Sequence, residues 1–117
     1  MKELVIIIKP EKLESVKTVL NELHCDGMTI SSVMGCGTQK GMTDQDSVNT
    51  IKGFKTNINL LPKIRVNAVV RDSIVEEAVL KIREAVATNN VGDGKIFIRK
   101  IEDAVRIRTG ERGEKAL

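Results

Sequence analysis

Apolar and polar positions along the chain form two copies of a strand–helix–strand pattern. The first copy opens with the continuous apolar run 4–8, which is typical of a strand in the middle of a sheet. After Lys9 and Pro10, apolar residues recur every three or four positions over 13–23, as one face of a helix requires. Alternating apolar and polar residues over 28–34 then predict a second, half-buried strand.

The second copy follows a long segment with few apolar residues. Residues 38–59 show no periodicity, which predicts a loop, and a loop of this length in a small domain is usually functional or disordered. Residues 60–70 resume the character of a strand. A helix face follows over 74–86, and we expect Asp72 or Ser73 to be its N-cap.

Two more short strands are predicted at 95–99 and 104–108. The resulting order βαββαβ predicts an α+β, ferredoxin-like fold, in which an antiparallel four-stranded sheet carries two helices on one face. The segment 104–108 would add a short extra strand. We expect residues 1–117 to form a single domain.

The side of the sheet that the helices leave open is expected to be partly apolar. Its outward strand positions include Val5, Ile7, Val69 and Phe97. An exposed patch of large apolar residues predicts association, most simply into a homo-oligomer.

Composition and charge narrow the class of partner. The chain has 19 Lys and Arg against 16 Asp and Glu, a net charge of +3, and the two signs are interspersed along most of its length. Such a balance suits a small anionic ligand better than duplex DNA. Only 2% of residues are aromatic, so nucleic-acid bases have almost nothing to stack on and no nucleic-acid partner is expected. The chain shows neither a membrane-spanning run nor a signal peptide, and we expect a cytoplasmic protein.

Residues that usually carry out catalysis or bind zinc are sparse. Cys25 and Cys36, with His24 as the single histidine, are too few for a zinc site and are interpreted as reduced thiols. No Ser-His-Asp or Cys-His arrangement is visible. The sequence therefore favours a binding protein over an enzyme.

The turn between the second helix and the following strand is a candidate anion site. Gly92, Asp93 and Gly94 can aim consecutive backbone N–H groups at phosphate oxygens, and Lys95 adds a positive charge. The turn lacks the spacing of a P-loop and no helix follows it. An ordinary Asp-Gly turn is the alternative interpretation.

Two other segments could contribute to the same site. At the base of the long loop, Gly35 and Gly37 allow the backbone to approach a ligand, and Gln39 follows them; a loop tip without a ligand is the alternative. Arg106 and Arg108 would emerge on one face of the last predicted strand, where they could bind phosphate or simply face solvent. The hypothesis is that these segments converge.

Six short motifs follow one another along nearly the whole chain. They are Lys9-Pro10, Gly27 to Thr29, Gly35 to Gly41, Leu61 to Lys63, Gly92 to Phe97 and Arg106 to Glu111. Their order resembles the P-II family of nitrogen-regulatory signal-transduction proteins. The resemblance implies a non-enzymatic homotrimer with a long target-binding loop at about 37–60, a phosphate-binding loop at about 88–95 and a C-terminal loop at about 106–117.

The resemblance also implies that ATP or ADP binds in clefts between subunits. The strand positions would hold adenine, the glycine turn and its lysine would hold the phosphates, and the arginine pair would reach them from the adjacent subunit. The implied ligand-binding residues are Thr29, Gly35, Gly37, Thr38, Gln39, Lys63, Asn67, Val69, Gly92, Asp93, Gly94, Lys95, Arg106 and Arg108.

An effector and a target complete what the resemblance implies. 2-Oxoglutarate would bind beside MgATP, with Gln39 coordinating Mg²⁺ and Lys63 pairing with a carboxylate. Its binding would rearrange the loop 38–59, whose tip engages a target such as nitrogenase, an ammonium transporter or glutamine synthetase.

Some positions depart from the family pattern. Thr38 stands where an arginine is common, Asn67 where an acid is usual, and Asn89 where a glycine is usual. The loop has no tyrosine, so it cannot be uridylylated on tyrosine. Its base and its composition resemble the nitrogenase-regulating branch of the family.

Two other functions are weighed against a sensor. A small ATP-using phosphotransferase could use Lys95, Arg106 and Arg108 to stabilise charge, but no catalytic base is apparent. An RNA-binding module can share the sheet topology, but the strands lack the aromatic residues on which bases stack.

Overall fold

The computed structural model describes residues 1–25, 27–36, 48–51, 54–57 and 60–117. The strands in these ranges are β1 (Lys2–Ile8), β2 (Met28–Cys36), β3 (Val48–Ile51), β4 (Phe54–Asn57), β5 (Leu60–Val70) and β6 (Gly94–Lys100). The helices are α1 (Leu13–Glu22) and α2 (Val75–Val86), with short 3-10 turns at Pro10–Lys12, Asp72–Ile74 and Gly113–Ala116.

Four of the strands form one antiparallel sheet in the order β2-β5-β1-β6. β1 pairs on both sides, as its continuous apolar run predicts, whereas β2 and β6 are the edges. α1 connects β1 to β2, α2 connects β5 to β6, and the two helices pack against each other. This topology confirms the predicted ferredoxin-like fold.

The core lies between the sheet and the two helices. Alternate residues of the central strands are buried there, namely Leu4, Ile6, Ile8, Val66, Ala68 and Val70. The apolar helix faces meet them through Val16, Val19, Leu20, Val75, Ala78, Ile82 and Val86. Strand alternation and helical periodicity thus predict the two sides of one core correctly.

The apolar residues on the open side of the sheet differ in their exposure. Phe97 is 52% exposed, and Ile7 and Val69 are half-buried. Val5 lies on the same side but is only 6% exposed, so the prediction of an exposed apolar side chain there is wrong. Its cross-strand partners are Asn67 and Phe97, and these longer side chains flank the small valine in the middle of the sheet.

The predicted loop 38–59 contains strands that the sequence did not indicate. β3 and β4 pair antiparallel within it, from Val48 opposite Asn57 to Ile51 opposite Phe54. A local hairpin requires only backbone pairing between neighbouring segments, so it leaves little apolar periodicity in the sequence. Residues 37–47, 52–53 and 58–59 lie outside the described ranges.

The prediction of a strand at 104–108 is wrong. Only an isolated bridge between Val105 and Arg112 forms there. The Gly110 N–H donates to the Arg106 carbonyl at 2.7 Å, and Asp103 pairs with Arg112 at 2.9 Å across the base of the segment. Because these backbone and side-chain groups find partners within the segment, the alternation of apolar and basic residues produces a closed loop instead of a strand.

The predicted N-cap of the second helix is also wrong. A 3-10 turn over Asp72–Ile74 precedes α2, Ile74 occupies the N-cap position, and no side chain caps the helix. The Asp72 carboxylate instead lies 3.1 Å from the N-terminal ammonium of Met1. This ion pair lowers the pKa of Asp72, because the ammonium donates a hydrogen bond to its charged form.

None of the helices in the described ranges combines the length and the apolarity that crossing a bilayer would require.

Candidate functional site

Five of the predicted ligand residues line one cleft at the end of the sheet. The cleft has a volume of about 370 Å³, and we call it the lysine cleft. Its predicted members are Gly35, Lys63, Gly92, Gly94 and Lys95; Ile7, Cys36, Leu61, Val91 and Phe97 complete the lining. The antiparallel register explains the convergence, because it places the end of β2 opposite the start of β5 and the end of β1 opposite the start of β6.

Glycine is required where the backbone of the turn meets the sheet. Gly94 has a φ of +115°, and a Cβ on it would lie 1.8 Å from the Ile7 carbonyl oxygen. Gly92 has a φ of +99°, which side chains also rarely adopt. The turn therefore presents bare backbone at the edge of the cleft.

The two lysines of the cleft differ in their contacts. Lys63 Nζ donates a hydrogen bond to the Gly92 carbonyl at 2.7 Å, which ties β5 to the turn and leaves two donors on the ammonium. Lys95 is exposed and makes no hydrogen bond or ion pair with any residue that the structure describes. Lys95 is thus a cation available to a ligand, whereas Lys63 already has a backbone partner.

Asp93 stabilises the turn instead of lining the lysine cleft. Its carboxylate accepts hydrogen bonds from the Thr88 N–H, at 2.7 Å, and from the Thr88 hydroxyl. Lys9 Nζ lies 4.0 Å away on the other side. The Thr88 bonds first, and then the charge of Lys9, lower the pKa of Asp93, since both favour its charged form.

Asn89 has a φ of +65° in the same turn. Asparagine is one of the few residues besides glycine that tolerate this left-handed conformation. The departure from the glycine that the resemblance predicts therefore preserves the backbone path of the turn.

The remaining predicted strand residues line a second cleft at the opposite end of the sheet. This terminal cleft has a volume of about 570 Å³ and includes Thr29, Asn67 and Val69 together with Glu3 and Leu117. Thr29 lies directly opposite Asn67 in the β2–β5 register, which explains why the two share the cleft.

A polar chain crosses the open side of the sheet beside the terminal cleft. Arg65 Nε donates to Asn67 Oδ1 at 3.1 Å, and Asn67 Nδ2 donates to Glu3 Oε2 at 3.4 Å. Arg99 Nη1 lies 3.5 Å from Glu3 Oε1. Sequence reasoning missed Glu3 and Arg65, although an acidic residue beside a run of five apolar ones was a usable signal.

Neither predicted arginine lines the lysine cleft of its own chain. Arg106 pairs with Glu111 at 3.5 Å and donates to the Leu117 carbonyl at 3.0 Å. Arg108 is exposed and makes no hydrogen bond or ion pair with the described residues. Both arginines were expected on one face of a strand. This expectation is wrong, because no strand forms there and residues 107–109 form a turn.

The loop-base residues Gly37, Thr38 and Gln39 lie outside the described residues. In the described part of the chain, no cluster of three or more His, Cys, Asp or Glu side chains could hold a metal ion. Cys25 and Cys36 are not joined by a disulfide bond.

The chain is similar to a known family over almost its entire length. The family model described as Nitrogen regulatory protein P-II matches residues 1–111. Nitrogen regulatory protein P-II 2 of Methanothermobacter thermautotrophicus is 46% identical over 117 residues, which cover 100% of this chain and 97% of that protein. The proteins named Nitrogen regulatory protein P-II of Rhodospirillum rubrum and Azospirillum brasilense are 43% and 42% identical, with both chains covered completely in each case. On this evidence the chain belongs to the P-II family and is a non-enzymatic signal-transduction regulator.

Proposed function

We propose that the chain is a cytoplasmic nitrogen and energy sensor that acts as a homotrimer. It binds ATP or ADP, takes 2-oxoglutarate as an effector beside MgATP, and controls a target protein through the loop 38–59. Residues 1–117 form one domain, in which the segments at about 37–60, 88–95 and 106–117 carry target binding, phosphate binding and the contact to the neighbouring subunit.

The lysine cleft is the observation that carries this proposal. Bare glycine backbone and two ammonium groups line one concave surface. Phosphate oxygens are the ligands that such a surface suits, because backbone N–H groups and lysines both favour negative charge.

The position of the arginines supports a site shared between subunits. Arg106 and Arg108 do not line the lysine cleft of their own chain, so they could reach bound phosphates only in another copy. The tip of their loop carries Ile107, which is 100% exposed in the single chain. An apolar side chain between two arginines suits insertion beside an apolar-walled cleft of a neighbour.

The effector proposal rests on the contact of Lys63. A carboxylate of 2-oxoglutarate would compete with the Gly92 carbonyl for the Lys63 ammonium. Gln39 would hold Mg²⁺ between the phosphates and the effector. Effector binding would then loosen the link between β5 and the phosphate-binding turn, which couples the two ligands.

Calorimetric titration with MgATP tests nucleotide binding. Lys95→Ala should weaken binding about tenfold or more, because a charged hydrogen bond to phosphate is lost. Lys17→Ala removes the same charge from α1, where Lys17 pairs with Glu14, and should leave affinity unchanged. Equal affinity for the two variants would refute the placement of phosphates in the lysine cleft.

Titration with 2-oxoglutarate tests the coupling. The effector should bind much more tightly in the presence of MgATP than in its absence. The effector should raise the affinity for MgATP by the same factor. Gln39→Ala should weaken the effector while largely sparing the nucleotide. Effector affinity that is independent of MgATP would contradict a shared metal.

The target is proposed to be nitrogenase, with an ammonium transporter and glutamine synthetase as the alternatives. Capture of partners from cell extract in MgATP, with and without 2-oxoglutarate, distinguishes them by the protein retained. A captured nitrogenase component that leaves on adding the effector is the expected result.

A further inference from the structure

Glu3 is a carboxylate with unused hydrogen-bonding capacity in the terminal cleft. Its side chain is 20% exposed, and its two contacts, to Asn67 Nδ2 at 3.4 Å and to Arg99 Nη1 at 3.5 Å, are both long. A carboxylate can accept about four hydrogen bonds, so these contacts leave sites for a ligand. Among the described residues that line the terminal cleft, Glu3 is the only one with an acidic side chain.

The contacts of Arg65 and Glu3 fix the orientation of the Asn67 side-chain amide. Arg65 Nε can only donate, so the Asn67 oxygen faces Arg65 and the Asn67 amino group faces Glu3. An acidic residue at position 67 would place two carboxylates side by side and raise the pKa of one of them. Asparagine at this position therefore places no second carboxylate beside Glu3.

The ligand chemistry follows from this arrangement. A carboxylate acceptor that shares a cleft of about 570 Å³ with Thr29 suits a flat polar group that offers N–H donors. Adenine offers such donors only on its exocyclic amino group. We propose that Glu3 accepts a hydrogen bond from the exocyclic amino group of the adenine ring. This inference rests on the proposed binding of adenine nucleotides.

A thermodynamic cycle, in which one change is made in the protein and one in the ligand, tests the inference. Affinities for ATP and for purine riboside triphosphate, which lacks the amino group, are measured by calorimetry in the unmodified protein and in Glu3→Ala. The unmodified protein should prefer ATP about tenfold, since a hydrogen bond to a charged group is lost with the amino group. In Glu3→Ala this preference should fall close to one, and Glu3→Gln, which keeps a neutral acceptor, should retain part of it.

Controls separate the possible failures. Glu84→Ala removes an exposed acid from α2 and should keep the full preference for ATP. ATP and 2′-deoxy-ATP serve as a second ligand pair. If Glu3→Ala changes the preference within this pair but not the preference for ATP over purine riboside triphosphate, Glu3 faces the ribose and the inference is overturned. An ATP preference that survives in Glu3→Ala would overturn it as well. No binding of ATP to the unmodified protein would instead refute the proposed function.

Discussion

Gly94 occupies a position where no side chain fits. A Cβ there would lie 1.8 Å from the Ile7 carbonyl oxygen, and the φ of +115° is itself unfavourable for any L side chain. Gly94→Ala should therefore lower the free energy of unfolding by about 3 kcal/mol, measured by urea denaturation. Gly27→Ala is the matched control, because nothing lies within 4 Å of the added carbon, and its effect should stay within about 0.5 kcal/mol. Similar stabilities for the two variants would contradict the close approach of the turn to β1.

His24 carries backbone strain at the end of α1. Its φ is +59°, while the following Cys25 N–H donates to the Leu20 carbonyl at 2.8 Å and closes the helix. Glycine is the residue that this left-handed position favours. His24→Gly should raise the free energy of unfolding by roughly 1 kcal/mol, read from thermal and urea denaturation. His24→Ala removes the same imidazole but keeps the strain, so a gain of equal size in that variant would rule out a backbone origin.

At the scale of elements, the turn 88–94 depends on one charged side chain. Thr88 and Lys9 hold the pKa of Asp93 below its ordinary value of 3.8. A carboxyl whose folded-state pKa is lowered stabilises the fold fully above its unfolded value, and this contribution disappears as the pH falls through the lowered pKa. Asp93→Asn should therefore be less stable than the unmodified protein at pH 7, and the difference should shrink below about pH 3.8.

Urea denaturation of both proteins between pH 7 and pH 2.5 measures that difference. Asp72 and Asp103 also have lowered pKa values, so the stability of either protein alone will fall in acid. Subtracting the two curves cancels these shared contributions and isolates Asp93. A difference that stays constant over the whole range would mean that the Asp93 charge does not hold the turn.

Elements with a strong hydrophobic period were the predictable ones. The four strands of the main sheet and both helices follow directly from alternation or from spacing of three and four residues. The C-terminal segment was predicted wrongly, because Val105 and Ile107 alternate with basic residues as in a strand. Both side chains are exposed, and the backbone of the segment forms hydrogen bonds within its own loop. Local hydrogen bonding of this kind leaves no trace in a hydrophobic pattern. The 3-10 turn that displaces Asp72 from the N-cap is invisible for the same reason.

At the scale of the whole molecule, half of the proposed nucleotide site could be predicted from sequence. The glycine turn and the end of β2 at Gly35 meet in the lysine cleft because sheet register brings together segments that are far apart in the chain. Topology alone was enough for that convergence. The placement of the arginines was not predictable, since their loop depends on Asp103, Glu111 and the last residue of the chain. Glu3 was missed because its partners lie on the neighbouring strands β5 and β6.

The open side of the sheet is the surface through which we expect copies of the chain to assemble. Phe97 on β6 and Leu80 on α2 are equally exposed, at 52% and 53%, but they lie on the open side of the sheet and on the outer face of a helix respectively. If three copies associate through their open sheet sides, Phe97→Glu should give a monomer, because three buried carboxylates near one axis cannot be compensated. Leu80→Glu should remain trimeric at the same concentration.

Light scattering coupled to size exclusion measures the mass of each variant. Because the two side chains expose the same fraction of their surface, a difference between the variants reports the location of the interface and not a general loss of apolar area. Phe97 also lines the lysine cleft, so a monomeric Phe97→Glu should lose MgATP affinity as well as mass. A monomeric Leu80→Glu beside a trimeric Phe97→Glu would place the interface on the helices, and the arginines of one copy would then have no route to the lysine cleft of the next.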